Sequence, residues 1–216
     1  SFAEYVEAYE RAGLGPHMIQ GGAFADVFRP DFDLYVLLSC LATFQDSLGT
    51  LSIHNYARLG CAVLPWQTKK PTVTTSELLS RFSSKTQAEL YRPFGHAARS
   101  RNISFVIGES NSVSCGGQTG VSDTFAAALW GIDYLAEMQQ TAGADLVNFH
   151  GSRSSYSAIF CNSSADRLVH VRPLYYAQLF HSEFAPVGSS YVRSVRARDF
   201  FDRIPQMLRR LLRISL

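Results

Sequence analysis

The chain has 216 residues, 46% hydrophobic and 18% charged, a composition that excludes intrinsic disorder and suits one ordinary domain or part of a larger one. Twenty Lys and Arg against 18 Asp and Glu leave a net charge of +2, which makes no case for nucleic acid as a partner. No apolar run approaches the roughly 20 residues of a membrane span; no signal-peptide pattern opens the chain, and without an initiator Met the true N-terminus is expected to lie upstream.

In chain order, His17 to Phe24 begins as a strand and ends in small residues at Gly21 and Gly22. Asp33 to Leu48 carries Leu34, Leu37, Leu38 and Leu41 at helical spacing. Leu51 to Tyr56 reads as a second strand, and Cys61 to Pro71 as a Pro-containing loop. Ser76 is the expected cap of a helix that passes through Leu78, Leu79 and Phe82 toward Ser100, with Pro93 expected to interrupt it. Ile103 to Gly108 is the clearest strand, and Glu109 ends it. Ser122 to Gln140 is the clearest helix, with Phe125, Leu129, Ile132 and Ala136 on one face and Gly143 where a stop belongs. Asp145 to Phe149 is a fourth strand and Leu174 to Phe184 a further helix. From Arg193 onward the chain holds seven arginines against two aspartates, and Phe200, Ile204, Met207, Leu208 and Leu211 share a helical face there.

This alternation of strands and helices predicts an α/β fold with a parallel sheet, in which chemistry gathers at the C-terminal strand ends. Those ends carry Gly21-Gly22, His54-Asn55-Tyr56, Glu109 and His150-Gly151. Glu109 faces a glycine-containing loop, Ser-Asn-Ser-Val-Ser-Cys-Gly-Gly, whose backbone can approach a ligand closely. On pattern alone a Glu in this place is also an ordinary ion-pairing or loop-capping residue. By the same standard His54 is also a hydrogen-bonded core histidine, His150 a structural one at a strand end, and Tyr156 a surface loop tyrosine.

The four cysteines, Cys40, Cys61, Cys115 and Cys161, form no CxxC pair, so zinc and thioredoxin-like readings are weak. They suit one or two disulfides in a secreted protein, or four free buried thiols. Two sequons, at Asn102 and Asn162, add a little to the secreted reading.

The block Phe105-Val-Ile-Gly-Glu-Ser-Asn-Ser112, followed by Gly116-Gly117 and by Gly120-Val-Ser-Asp-Thr-Phe-Ala-Ala-Ala-Leu-Trp130, resembles the nucleophile block of glycoside hydrolase family 79, the β-glucuronidase and heparanase family. Leu51 to Tyr56, Val147 to Gly151 with Tyr156, and Pro173 to Tyr176 are similar to its neighbouring blocks. The resemblance runs from about His17 to Val195. It implies a partial (β/α)8 TIM barrel: residues 1–195 are the C-terminal half of the barrel, with Ile19, Ile53, Ile107 and Val147 on strands five to eight. The attached β-sandwich is largely missing, and residues 196–216 are an Arg-rich tail outside the resemblance.

The resemblance further implies a retaining, secreted enzyme that removes terminal β-linked glucuronic acid, with Glu109 as nucleophile. Tyr156 with Gly116 and Gly117 would hold the uronate carboxylate, and His54 and Tyr56 would line the sugar site. The partner is a carbohydrate, a glucuronide, and neither a cofactor nor a metal is implied. Two departures are plain. Cys115 falls where the family often has glycine. The family's acid/base Glu follows an Asn at the end of strand four, and Glu4, Glu7 and Glu10 do not match that motif, so the 216 residues are expected to be inactive by themselves. The competing readings are a non-catalytic truncated homologue that at most binds uronides, and an endo-acting, heparanase-like hydrolase, which would need a basic cleft.

Overall fold

The computed structural model describes residues 2–15, 18–24, 42–43, 46–61, 70–151, 154–162, 167–186 and 188–189. Residues 1–184 form one compact unit and residues 185–216 a second. In the second, a turn closes where Ser189 N–H donates to Pro186 O at 2.9 Å. The expected tail helix lies outside the described residues, as does nearly all of the helix expected over 33–48 and Cys40.

The first unit opens with α1 (Phe2–Arg11), then β1 (Ile19–Phe24) and β2 (Leu48–Arg58). A short helix α2 (Thr75–Leu78) and a 3-10 turn (Arg81–Ser83) lead into α3 (Lys85–Arg99). Strand β3 (Ser104–Val113), helix α4 (Phe125–Glu137), a π turn (Met138–Ala142) and β4 (Leu146–Phe149) follow. Strands β5 (Ile159–Asn162) and β6 (Arg167–Val171) form an antiparallel pair, and α5 (Pro173–Phe184) closes the unit. The four main strands lie in chain order β1-β2-β3-β4, every neighbouring pair parallel. The α/β class and the parallel sheet are therefore as expected. The β5–β6 hairpin was not foreseen.

Several local expectations are corrected. The cap before α2 is Thr74, not Ser76. Its hydroxyl accepts from Glu77 N–H at 3.2 Å, while the Glu77 carboxylate takes Thr74 N–H at 2.7 Å. This reciprocal pairing satisfies two otherwise orphaned donors, which Ser76 cannot do from inside the turn. Those hydrogen bonds from Thr74 also hold the exposed Glu77 carboxyl below its usual range. Pro93 does not interrupt α3. It and Glu89, whose carbonyl loses its donor, are both exposed, so water can take the vacant acceptor.

Helix α4 buries mainly the side away from the expected face, of which only Ile132 packs against the core and Ala136 is half-buried. Phe125 and Leu129 are exposed, whereas Ala127, Ala128, Trp130, Gly131, Tyr134 and Leu135 are buried. The small residues decide this: a Cβ on Gly131 would crowd Leu174 and Ala177, so glycine lets α5 pack closely. Gly143 does end the helical run, at φ +75°.

The core lies between the sheet and its helices. Leu51 and Ile53 of β2, and Phe105 and Ile107 of β3, meet Phe94 and Ala98 of α3 and Trp130 and Tyr134 of α4. A polar chain runs through it. Asn55 donates to Gln87 Oε1 at 2.9 Å, Tyr134 OH donates to Asn55 Oδ1 at 2.7 Å, and Ser110 Oγ donates to Tyr134 OH at 2.9 Å. Trp130 Nε1–H reaches Ser83 O at 2.8 Å, so its polar edge is also satisfied.

Burial pushes the Tyr134 phenol well above its ordinary value. In the unfolded chain that phenol ionises near pH ~10. The unfolded state therefore loses the proton first, and the stability is full below about pH 10 and falls as pH rises beyond it, by up to about 1.4 kcal/mol per pH unit. Urea unfolding measured from about pH 9 to about pH 11 is expected to show this decline, and Tyr134→Phe to remove part of its slope. An unchanged slope in the variant would mean that Tyr134 ionises in the folded state.

Candidate active site

Glu109 does not end its strand. β3 continues four residues further to Val113, and Ser110, Asn111, Ser112 and Val113 are all buried. What places Glu109 is a slip in register. Ile53 pairs with Ile107, but the next residue, His54, pairs with Glu109, so Gly108 is an extra residue in β3. The same strand gains a residue against β4, where Ile107 pairs with Val147 and Ser110 with Phe149. Such a bulge reverses the side-chain alternation. Phe105 and Ile107 point to the helices, and without the extra residue Glu109 would follow them. With it, Glu109 joins His54 and Tyr56 on the opposite face. Glycine suits the bulge, because a Cβ there would overlap the Ser52 hydroxyl unless that side chain moved.

On that face the side chains converge. Tyr56 OH donates to Glu109 Oε1 at 2.6 Å. His54 Nδ1 lies 3.8 Å from Glu109 Oε2, and His150 Nδ1 lies 3.6 Å from Oε1. Tyr156 OH is 2.7 Å and Tyr56 OH 3.2 Å from the same His150 nitrogen. Burial pushes the Tyr56 phenol far up, and its hydrogen bonds to Glu109 and Tyr156 add to this. Tyr56 is thus a neutral donor at any working pH, and it fixes one carboxylate oxygen while the other faces His54. The Glu109 side chain remains 34% exposed, so a ligand can reach it.

Two loops complete the site. After β3, Cys115, Gly116 and Gly117 all have positive φ, at 60°, 93° and 81°. Gly117 packs so closely on Tyr156 that a Cβ would stand 2.8 Å from Tyr156 N. Gly116 O accepts from Ser155 N–H at 2.9 Å, while neither glycine N–H meets a protein acceptor among the described residues. Gln118 donates to and accepts from the Val73 backbone at 2.6 and 2.8 Å, which anchors the loop's far end. A disulfide joins Cys61, three residues past β2, to Cys115, two past β3, with Cα atoms 5.9 Å apart.

Glu109, Tyr56 and Tyr156 are therefore joined through His150 in one hydrogen-bonded cluster with His54 beside it, and Gly117 lies against Tyr156 while Gly116 lies against Ser154 and Ser155. The surface-loop reading of Tyr156 fails, since the residue is 3% exposed. His54 stands beside Glu109, not in the core, and His150, read as structural, sits at the centre of the cluster. Asn111 also belongs to the site, beyond the residues the sequence pattern marks: buried in β3, its Nδ2 donates to His150 O at 2.8 Å and to Tyr156 O at 3.3 Å. A polar Ser-Asn-Ser run inside a buried strand was the available signal.

Among the described residues no group of three or more His, Cys, Asp or Glu is placed to hold a metal ion. None of their helices is long and apolar enough to cross a membrane. Glu7 pairs with Arg11 and Glu10 accepts from Ser47 Oγ, both on α1. A separate cleft lined by Arg99, Asn102, Gly143 and Asp145 opens at the N-terminal end of β3, away from Glu109.

No protein-family model matches the chain, and no curated protein does. Solved structures do. A 4-O-α-L-rhamnosyl-β-D-glucuronidase from Fusarium oxysporum 12S, in complex with Rha-GlcA, aligns with a TM-score of 0.60 at 20% identity, over 83% of this chain and 36% of that one. The GH51 arabinofuranosidase from Xanthomonas axonopodis pv. citri aligns with a TM-score of 0.53 at 13% identity, over 82% of this chain and 38% of that one. The chain thus shares its fold with glycoside hydrolases and spans a little over a third of the length of each.

The bulge can be tested directly. Gly108→Ala is expected to cost about 1–3 kcal/mol through overpacking against Ser52. The Ser52 hydroxyl is buried without a hydrogen-bond partner, so Ser52→Ala alone is expected to be neutral or stabilising. Added to Gly108→Ala, it should restore most of the lost stability in urea unfolding. Equal instability of single and double variants would mean that the bulge does not depend on this contact.

Proposed function

We propose that the chain is the C-terminal half of the catalytic barrel of a retaining glycoside hydrolase similar to family 79, and that Glu109 is its nucleophile toward terminal β-linked glucuronic acid. The observation that carries this reading is the Glu109 carboxylate itself. It is turned onto the functional face by a bulge, held through one oxygen by Tyr56 and left accessible beside a positive-φ glycine loop. The sequential parallel order of β1 to β4 suits strands five to eight of a barrel. The shared fold with a rhamnosyl-glucuronidase supports the substrate class.

In this reading Glu109 attacks the anomeric carbon, the aglycone oxygen leaves with a proton from a second carboxyl group, and a glycosyl ester forms. Water, deprotonated by that second group, then releases the sugar with retained configuration. Tyr56 orients the attacking carboxylate. Tyr156 and the N–H groups of Gly116 and Gly117 receive the uronate. The acid/base carboxyl comes from outside residues 1–216, so this chain does not turn over ordinary glucuronides by itself. The disulfide suits a secreted enzyme.

A 2-deoxy-2-fluoro-β-glucuronyl fluoride needs little acid help, since fluoride leaves unprotonated. It is expected to esterify Glu109, with the label found on the peptide containing it and absent from Glu109→Gln. A label mapped to another carboxylate would sink the assignment.

Tyr156→Phe removes one hydrogen bond to a charged group, worth about 1.5–3 kcal/mol, or roughly ten- to a hundred-fold. Its labelling efficiency with the glucuronyl fluoride should fall by that factor, and with the matching glucosyl fluoride hardly at all. Equal losses would make Tyr156 structural.

A further inference from the structure

We infer that the Cys61–Cys115 disulfide is a specificity-determining clamp, which holds the Gly116-Gly117 loop in the shape that receives the uronate; this rests on the glucuronidase reading above. The loop begins with three residues at positive φ. Two are glycines, for which that region is easily reached. Cys115 is not, and an L side chain in the left-handed region is disfavoured. Left to its own preferences, Cys115 would relax toward negative φ and swing the glycines that follow it.

The surroundings oppose this from both sides. On one side Ser155 N–H donates to Gly116 O, and Gly117 lies against Tyr156 N. On the other, the end of β2 is stitched to the start of the loop. Ser114 N–H donates to Arg58 O at 2.9 Å and Gly60 N–H to Ser114 Oγ at 3.0 Å. A Cβ on Gly60 would overlap Ser114 O. The disulfide is the covalent member of this second set, and it acts on the residue whose backbone is least content. Cys115 is exposed, so the bond adds little to the core. Its position makes the loop its object: one residue before Gly116, and on the same end of the sheet as Glu109.

The clamp therefore acts on recognition of the carboxylate more than on the nucleophile, which Tyr56 holds independently. Loss of the disulfide should weaken binding of a uronide and leave a neutral sugar unaffected.

The test uses the chain with its disulfide first verified by peptide mapping. Labelling of Glu109 is followed against concentration with the 2-fluoro-glucuronyl and 2-fluoro-glucosyl fluorides. Three forms are compared: the oxidised protein, the protein reduced by a phosphine, and Cys61→Ser. All are measured under conditions where the near-UV circular dichroism matches the oxidised form. Cys115→Ser, which loses the bond but keeps an L side chain at the positive φ, serves if the other two unfold. The half-saturating concentration of the glucuronyl probe should rise about tenfold or more without the disulfide, the scale of one lost hydrogen bond to a charged group. That of the glucosyl probe should stay within about twofold. Half-saturation by the glucuronyl probe that ignores the disulfide, equal shifts for both probes, or free thiols at Cys61 and Cys115 in the oxidised protein would overturn the clamp alone. Absence of labelling at Glu109 by either probe in the oxidised protein would overturn the glucuronidase reading and the clamp with it.

Discussion

One extra residue in β3 decides on which face of the sheet Glu109 stands. A regular strand would send Glu109 to the helix side with Phe105 and Ile107, into a core of Phe94, Trp130 and Tyr134. An unpaired carboxylate there would be expensive. Gly108 absorbs a one-residue slip against β2, and the alternation reverses at that point. From there Ser110 faces the helices and bonds Tyr134, while Glu109 meets Tyr56, His54 and His150. The glycine is favoured by space, since a Cβ would displace the Ser52 hydroxyl, and not by an unusual φ. The cluster depends on this irregularity, because every partner of Glu109 lies on the face it exposes.

Much of the framework was legible in the sequence. Short apolar runs marked β2 and β3, and the glycine at 143 marked the end of a helix. The parallel order followed from the alternation of elements. The errors share a cause, which is that local pattern does not know its neighbours. The apolar stripe of Phe125 and Leu129 was strong, yet α4 turned to bury Gly131 and its alanines because α5 fits there. Pro93 was read as a break, yet its position on the wet side of α3 lets the helix pass. The end of β3 was placed too early because Ser110, Asn111 and Ser112 look like a loop, and only tertiary partners such as Tyr134 and Ser122 make them a buried strand.

The candidate site divides in the same way. Glu109, Tyr56, His54 and Tyr156 were picked out by type, by place and by resemblance, and the structure gathers them. The role of His150 was not legible, because it depends on two tyrosines from different elements meeting one ring nitrogen. The pairing of Cys61 with Cys115 left a trace in hindsight. Arg58 and Val113 are opposite each other in the register, and the two cysteines follow them at nearly equal offsets. The sequence alone did not reveal that register.

The polar chain from Gln87 through Asn55 and Tyr134 to Ser110 lies directly behind the cluster, on the dry side of the same two strands. In an all-apolar core α3 and α4 could slide along the sheet at little cost, since Leu and Ala contacts are interchangeable. Here a shift by one residue would strand several polar groups at once in a medium that offers no substitutes. The chain thus works as a vernier, and the helices have one permitted setting against β2 and β3. Because His54, Tyr56 and Glu109 ride on those two strands, that setting also fixes the spacing of the side chains on the open face.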